Sequence, residues 1–156
     1  MKTEIKYAVI FVIASFIWNC IEYVAGLQSS YINLHPFFVT PFFILLTILI
    51  YLFALREKRA VLGGKITFGK AFVTGIIISI FIIILNPVFL YIFSHYINLN
   101  FFDAFSRHEV VSGKSTKEEA DEYFNFTNFL FRGSAYRLVM GIVATLFISF
   151  FMKKEI

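Results

Sequence analysis

The stretch Trp18-Asn19-Cys20-Ile21-Glu22-Tyr23 stands inside an apolar run that extends from Tyr7 to Leu27. A run of that length suits a helix crossing a bilayer, because about 20 residues at a rise of ~1.5 Å each span the ~30 Å hydrocarbon layer. An asparagine and a carboxylate within such a helix must face protein rather than acyl chains. Ser15, Asn19, Glu22 and Gly26 are spaced four, three and four, which places them on one helical face. The spacing predicts that this face points into a helical bundle.

Composition supports the same medium. The chain has 156 residues, 59% of them hydrophobic, 20% aromatic and 15% charged, with 22 phenylalanines. Soluble domains carry about 25% charged residues, and a chain this short cannot hide so much apolar surface from water. Lipid is the expected partner of the outward faces. The net charge of +4 is the cationic bias of membrane loops rather than a footprint for nucleic acid, which is not an expected partner. Cys20 is the single cysteine, so no intrachain disulfide forms, and mid-span it behaves as a small apolar residue.

Four spans are expected, at about 7–27, 37–55, 72–96 and 136–152, in one membrane domain covering 1–156. The fold class is therefore all-α: a bundle of four transmembrane helices, with an outer amphipathic helical segment at 98–132 between the third and fourth. The first run is longer than the 7–15 residues of a signal-peptide core, and no clean A-x-A site follows it. A lipoprotein signal ending at Cys20 would want a small residue where Asn19 stands. The run reads as a retained span.

Lys2, Lys6, Arg56, Lys58, Arg59, Lys65, Lys70, Lys153 and Lys154 fall on one side of these spans. Arg107, Lys114, Lys117 and Arg132 fall on the other, among six acidic residues. The positive-inside rule then puts both termini in the cytoplasm, and the expected location is a bacterial inner membrane. In the basic connection, L-G-G-K lacks the rest of a phosphate-loop pattern. It reads as a Gly63-Gly64 turn, with Thr67 starting the third helix.

In the outer segment, Phe101, Phe102 and Phe105 recur at helical spacing, so a short helix at the headgroup level is expected, broken by Ser112-Gly113. Thr116-Lys117-Glu118-Glu119 is a capping box, and a helix should run from it through Phe131. Gly133-Ser134 should let the chain bend before the fourth span. The sequon at 125–127 lies too close to the membrane to count as a glycosylation site.

Glu22 lies sixteen residues beyond Lys6, Thr40 sixteen before Arg56, Asn86 sixteen beyond Lys70, and Arg137 sixteen before Lys153. Each is thus roughly 24 Å from the inner boundary. The coincidence predicts an intramembrane polar layer of Asn19, Glu22, Thr40, Asn86 and Arg137, with Glu22 paired to Arg137. Pro87 should free the carbonyl of Ile83 as another acceptor. Such a layer either fixes helix register or forms a proton, ion or substrate site. His35 and His95 lie near the same boundary, but their spacing with Glu22 matches no metal motif, and no metal or other cofactor is expected. The chain contains no G-x-S-x-G, no H-E-x-x-H and no Cys-His pair for nucleophilic catalysis, so no catalytic residue is assigned. Gly75 and Ser79 on the third span, and Gly141, Thr145 and Ser149 on the fourth, are small residues four apart, which permits close helix packing within one chain or between copies.

Several ordered motifs bear on family. They are I-E-Y-x-x-G-L at 21–27, A-L-R-E-K-R at 54–59, G-G-K-I-T-F-G-K-A-F at 63–72, Asn86-Pro87, and G-K-S-T-K-E-E-A-D-E-Y-F-N at 113–125. Together they resemble a bacterial membrane family designated domain of unknown function 4199, over nearly the whole chain. The resemblance implies a four-helix integral membrane protein and carries over no catalytic or ligand residues. The expected role is non-catalytic: a structural, accessory or regulatory membrane component, with the bilayer, other membrane proteins or further copies of itself as partners. The alternatives are an oligomeric transporter or channel component built on the Glu22/Asn86/Arg137 layer, and a membrane enzyme at the outer headgroups that would need His35, His95 or His108 to converge on Glu22.

Overall fold

Met1 leads directly into helix α1, Lys2–Val24. In the computed structural model, which describes residues 1–152, five further α-helices follow: α2 His35–Val61, α3 Phe68–Ile92, α4 Phe101–Val111, α5 Lys117–Tyr123 and α6 Phe126–Met152. Helices α1, α2, α3 and α6 are each long and apolar enough to cross a membrane, α2 together with the 3₁₀ turn Ile32–Leu34 before it and α3 together with the π turn Phe93–Ile97 after it. The chain is an all-α, polytopic membrane protein. Its outward surface shows why it needs lipid: Val24, Phe37 and Phe151 are 85%, 74% and 79% exposed, which water would penalise and acyl chains do not.

The helix ends follow local chemistry. Gly26, at φ +75°, ends the first helix with the Leu27 amide bonded back to the Glu22 carbonyl, a glycine stop. It therefore lies beyond α1, and the polar face read from the spacing stops at Glu22. Pro36 occupies the first turn of α2, where its missing N–H costs nothing. Gly63 and Gly64, both at positive φ, make the turn to α3, whose Thr67 side chain accepts from the Lys70 amide. Helix α3 continues through Pro87. The capping box is formed in full, Thr116 accepting from the Glu119 amide and Glu119 from the Thr116 amide.

One boundary differs from expectation. No bend occurs at Gly133-Ser134, and α6 runs through both. The break falls at 124–125, because the Asn125 side chain accepts from the Asn128 amide at 2.9 Å and so caps a new helix. The outer helix consequently ends at Tyr123 rather than Phe131. The anchors Lys153 and Lys154 lie outside the described residues.

The core runs along the bundle axis through Ala8, Phe11, Val12, Ile50, Tyr51, Ala54, Ile78 and Ile82. Helices α3 and α6 approach closest at their small residues. A Cβ on Gly75 would strike the Thr145 side chain, and one on Gly141 would strike the Ser79 and Tyr51 hydroxyls. The small faces at Gly75, Ser79, Gly141 and Thr145 meet within one chain. Tyr51 and Ser79 share a hydrogen bond of 2.6 Å at this crossing.

At the end that carries Met1, α1 and α2 are joined by charge. Glu4, 1% exposed, accepts from Lys58 at 2.7 Å and meets the Met1 amino group at 2.9 Å. Glu57 accepts from Lys6 and Tyr7. At the opposite end α4 folds back over the bundle. Phe101 is buried against Phe93, Phe105 and Phe129, and the Ser106 hydroxyl donates to Asp121, tying α4 to α5.

Candidate functional site

Glu22 answers the question its sequence context raises. It is completely buried, and two donors converge on its carboxylate with a histidine ring beside them. The Trp18 indole donates to Oε1 at 2.7 Å, the Gln28 amide to Oε2 at 3.3 Å, and His35 Nε2 lies 3.4 Å from Oε2. Asn98 then donates to Gln28 Oε1 at 2.8 Å. These groups come from α1, the loop after it, the start of α2 and the turn before α4. Trp18 is fixed by stacking on Phe42, rings 4.0 Å apart, and His35 by an edge contact with Phe105 at 4.9 Å. A buried carboxylate satisfied on both oxygens offsets much of its desolvation cost. The cluster thereby clasps four segments at one end of the bundle.

Arg137 is not part of that clasp. Among the described residues no ion pair joins it to Glu22, beside whose carboxylate His35 lies. Equal depth along the bundle sets the height of a side chain and leaves its direction around the helix open. Glu22 turns toward Gln28 and Asn98, whereas Arg137 turns toward a cavity. This cavity, of about 570 Å³, lies beneath α4 and is lined by Ser15, Asn19, His35, Asn86, His108, Glu109, Lys114 and Arg137 among aromatic residues. The Arg137 Nε is buried with no hydrogen-bond partner, and the guanidinium lies 5.8 Å from the Phe43 ring. Gly133, one turn earlier, leaves it room, since a Cβ there would sit 2.7 Å from Nη1.

The expected layer is thus divided. Asn19, Asn86 and Arg137 share the cavity wall, and Asn86 is only 8% exposed. Thr40 is exposed, on the wall of an adjoining cavity that also reaches Arg137. Glu22 stands behind the wall, connected to it through His35, which belongs to both the clasp and the cavity. His95 stacks on Tyr91, centroids 4.1 Å apart, and contacts Ser94. His108 lines the cavity without reaching Glu22. Among the described residues no three His, Cys, Asp or Glu side chains gather as metal ligands.

Three members of the clasp escaped sequence reasoning. Trp18 carried a usable signal, because W-x-x-x-E puts the indole one turn from the carboxylate. Gln28 and Asn98 carried none, since a polar residue in a connecting loop looks solvated until the fold closes over it.

Neither the curated proteins nor the solved structures searched contain a match to the chain. The profile of one family, described as protein of unknown function (DUF4199), matches residues 6–154. With almost its whole length matched and four apolar helices in place, the chain belongs to that family of membrane proteins.

Proposed function

We propose that the protein is a non-catalytic, ligand-binding accessory component of the bacterial inner membrane, with both termini cytoplasmic and the α4–α5 end outward. The observation that carries this reading is the cavity beneath α4, where the Arg137 guanidinium and the Asn19 and Asn86 amides face open space. A cation held in a bundle without a counter-charge is costly unless something enters to meet it. The orientation is supported by the excess of Lys and Arg at the end where α1 begins and α2 finishes. Glu22 is enclosed within a single chain, which does not favour a shared wet axis between copies.

Native mass spectrometry of the protein extracted in a mild non-ionic detergent tests the reading. The expected result is a stoichiometric adduct of small mass that is lost when Val39, on the wall of both cavities, is replaced by tryptophan. A bare chain mass, with Val39→Trp no different from the native protein in adduct or stability, overturns it.

A further inference from the structure

The adjoining cavity, of about 330 Å³, shares Arg137, Val39, Phe43, Tyr123, Phe124 and Phe129 with the first. The rest of its wall is largely apolar, including Phe11, Ile82 and Met140. Among the described residues its charged side chains are two arginines, Arg132 and Arg137. Arg132 lies over the Tyr123 ring, 3.0 Å from its centroid, and donates to the Tyr123 and Asn128 carbonyls. Even so, Arg132 Nη1 is buried without an acceptor, as is Arg137 Nε. Among the described residues one carboxylate occurs across both cavity walls, Glu109, and one of its oxygens is met by Lys114 at 3.5 Å. Glu22, the nearby buried acid, already accepts from Trp18 and Gln28 and faces His35. Among the described residues the site thus has guanidinium and amide donors to spare, and no carboxylate meets either arginine.

We propose that the two cavities together bind an anionic amphiphile, a molecule with an oxyanion head and an acyl tail. The inference rests on the reading of the cavity as a binding site and names what that site takes. The head lies at Arg137, where the cavities join and where Asn19 and Asn86 supply further donors. A planar guanidinium suits a carboxylate or a phosphate equally well. The tail lies in the apolar cavity, whose volume accommodates a chain of about ten methylenes at ~30 Å³ for each small unit. Both a fatty-acid carboxylate and a phospholipid headgroup offer this chemistry.

The test uses the full chain in non-ionic detergent, titrated with dodecanoate, lysophosphatidylglycerol, dodecanol and inorganic phosphate, and read by thermal shift and native mass spectrometry. Dodecanoate, lysophosphatidylglycerol or both are expected to bind and raise the melting temperature, and whichever binds tighter identifies the source. Dodecanol and inorganic phosphate should bind at least ten-fold more weakly, as should either anionic amphiphile to Arg137→Met. Gly133→Val keeps the charge but crowds the guanidinium, and weakens anion binding in the same direction, so the proposal does not depend on one variant folding. Equal binding of dodecanol and dodecanoate, or unchanged affinity in both variants, overturns the anionic head. Inorganic phosphate binding as tightly as the amphiphiles overturns the tail. In these cases blockage by Val39→Trp still supports a binding cavity. If no probe binds and Val39→Trp changes nothing, the inference and the functional reading fall together.

Discussion

Removing the Glu22 carboxylate would leave the Trp18 indole without its acceptor and the Gln28 amide with only the Asn19 carbonyl. A donor left without its acceptor costs about 1–3 kcal/mol, so Glu22→Leu is expected to destabilise the protein by about 1–3 kcal/mol. Glu22→Gln, which keeps one acceptor oxygen, should cost less than half of that. Unfolding in mixed micelles measures both, and a Glu22→Leu variant as stable as the native chain would contradict the clasp. Arg137 supplies the control. It shares no hydrogen bond with Glu22, so Glu22→Gln and Arg137→Met should combine additively within about 0.5 kcal/mol. A larger coupling would restore the ion pair that their common depth suggests. At this scale the sequence shows which residues are polar and how deep they lie. It does not show azimuth, because the turn of each helix about its axis is decided by packing across the whole bundle. That is why Glu22 and Arg137 were legible as buried groups and not as members of different sites.

Close packing of α3 on α6 depends on two glycines that cannot accept a Cβ without displacing a neighbour. Gly75→Ala drives a methyl into Thr145 and is expected to cost about 1–3 kcal/mol by overpacking. Thr145→Gly in the same chain makes room and should recover part of that loss. If Gly75→Ala alone is neutral in thermal unfolding, the helices are not in register at this crossing. The spacing of small residues made this face legible, because it is a local pattern with a single steric meaning. The start of α5 was legible for the same reason. The backbone amide and then the hydroxyl of Thr116 hold the Glu119 carboxyl below its ordinary value of 4.5. A lowered folded-state pKa means that the cap contributes fully above that ordinary value and is lost as pH falls through the depressed one. Carbon-detected NMR should show Glu119 titrating below 4.5, and Thr116→Ala should move it back toward that value. An unshifted titration would contradict the cap. The start of α6 was less legible. Gly133-Ser134 looks like a hinge in isolation, but a glycine inside a packed membrane helix is tolerated, and the Asn125 side chain already supplies the break eight residues earlier.

For the molecule as a whole, the four long helices were legible because bilayer thickness imposes a length that no loop reproduces. The ends of these helices are fastened differently. One carries the Glu4–Lys58 and Glu57–Lys6 pairs between α1 and α2, and the other carries the Glu22 clasp and the cover of α4. Lys6 and Lys58 are therefore bound to carboxylates as well as anchoring their helices, a pairing across distant segments that the charge count alone conceals. An even number of spans brings Met1 and Met152 to the same end, where Met152 packs against the cluster of Leu55, Ile66 and Ala71. The direction of the bundle then hangs on the uneven distribution of Lys and Arg. Single cysteines at exposed positions, in a Cys20→Ala background, read that direction in intact cells with a membrane-impermeant thiol reagent. Lys117→Cys and Ser30→Cys should label from outside, and Lys65→Cys only after the membrane is permeabilised. The opposite pattern would turn the cavity toward the cytoplasm. Its ligand would then come from the inner leaflet and the cytosol, so the same labelling experiment decides from which side an anionic amphiphile reaches Arg137.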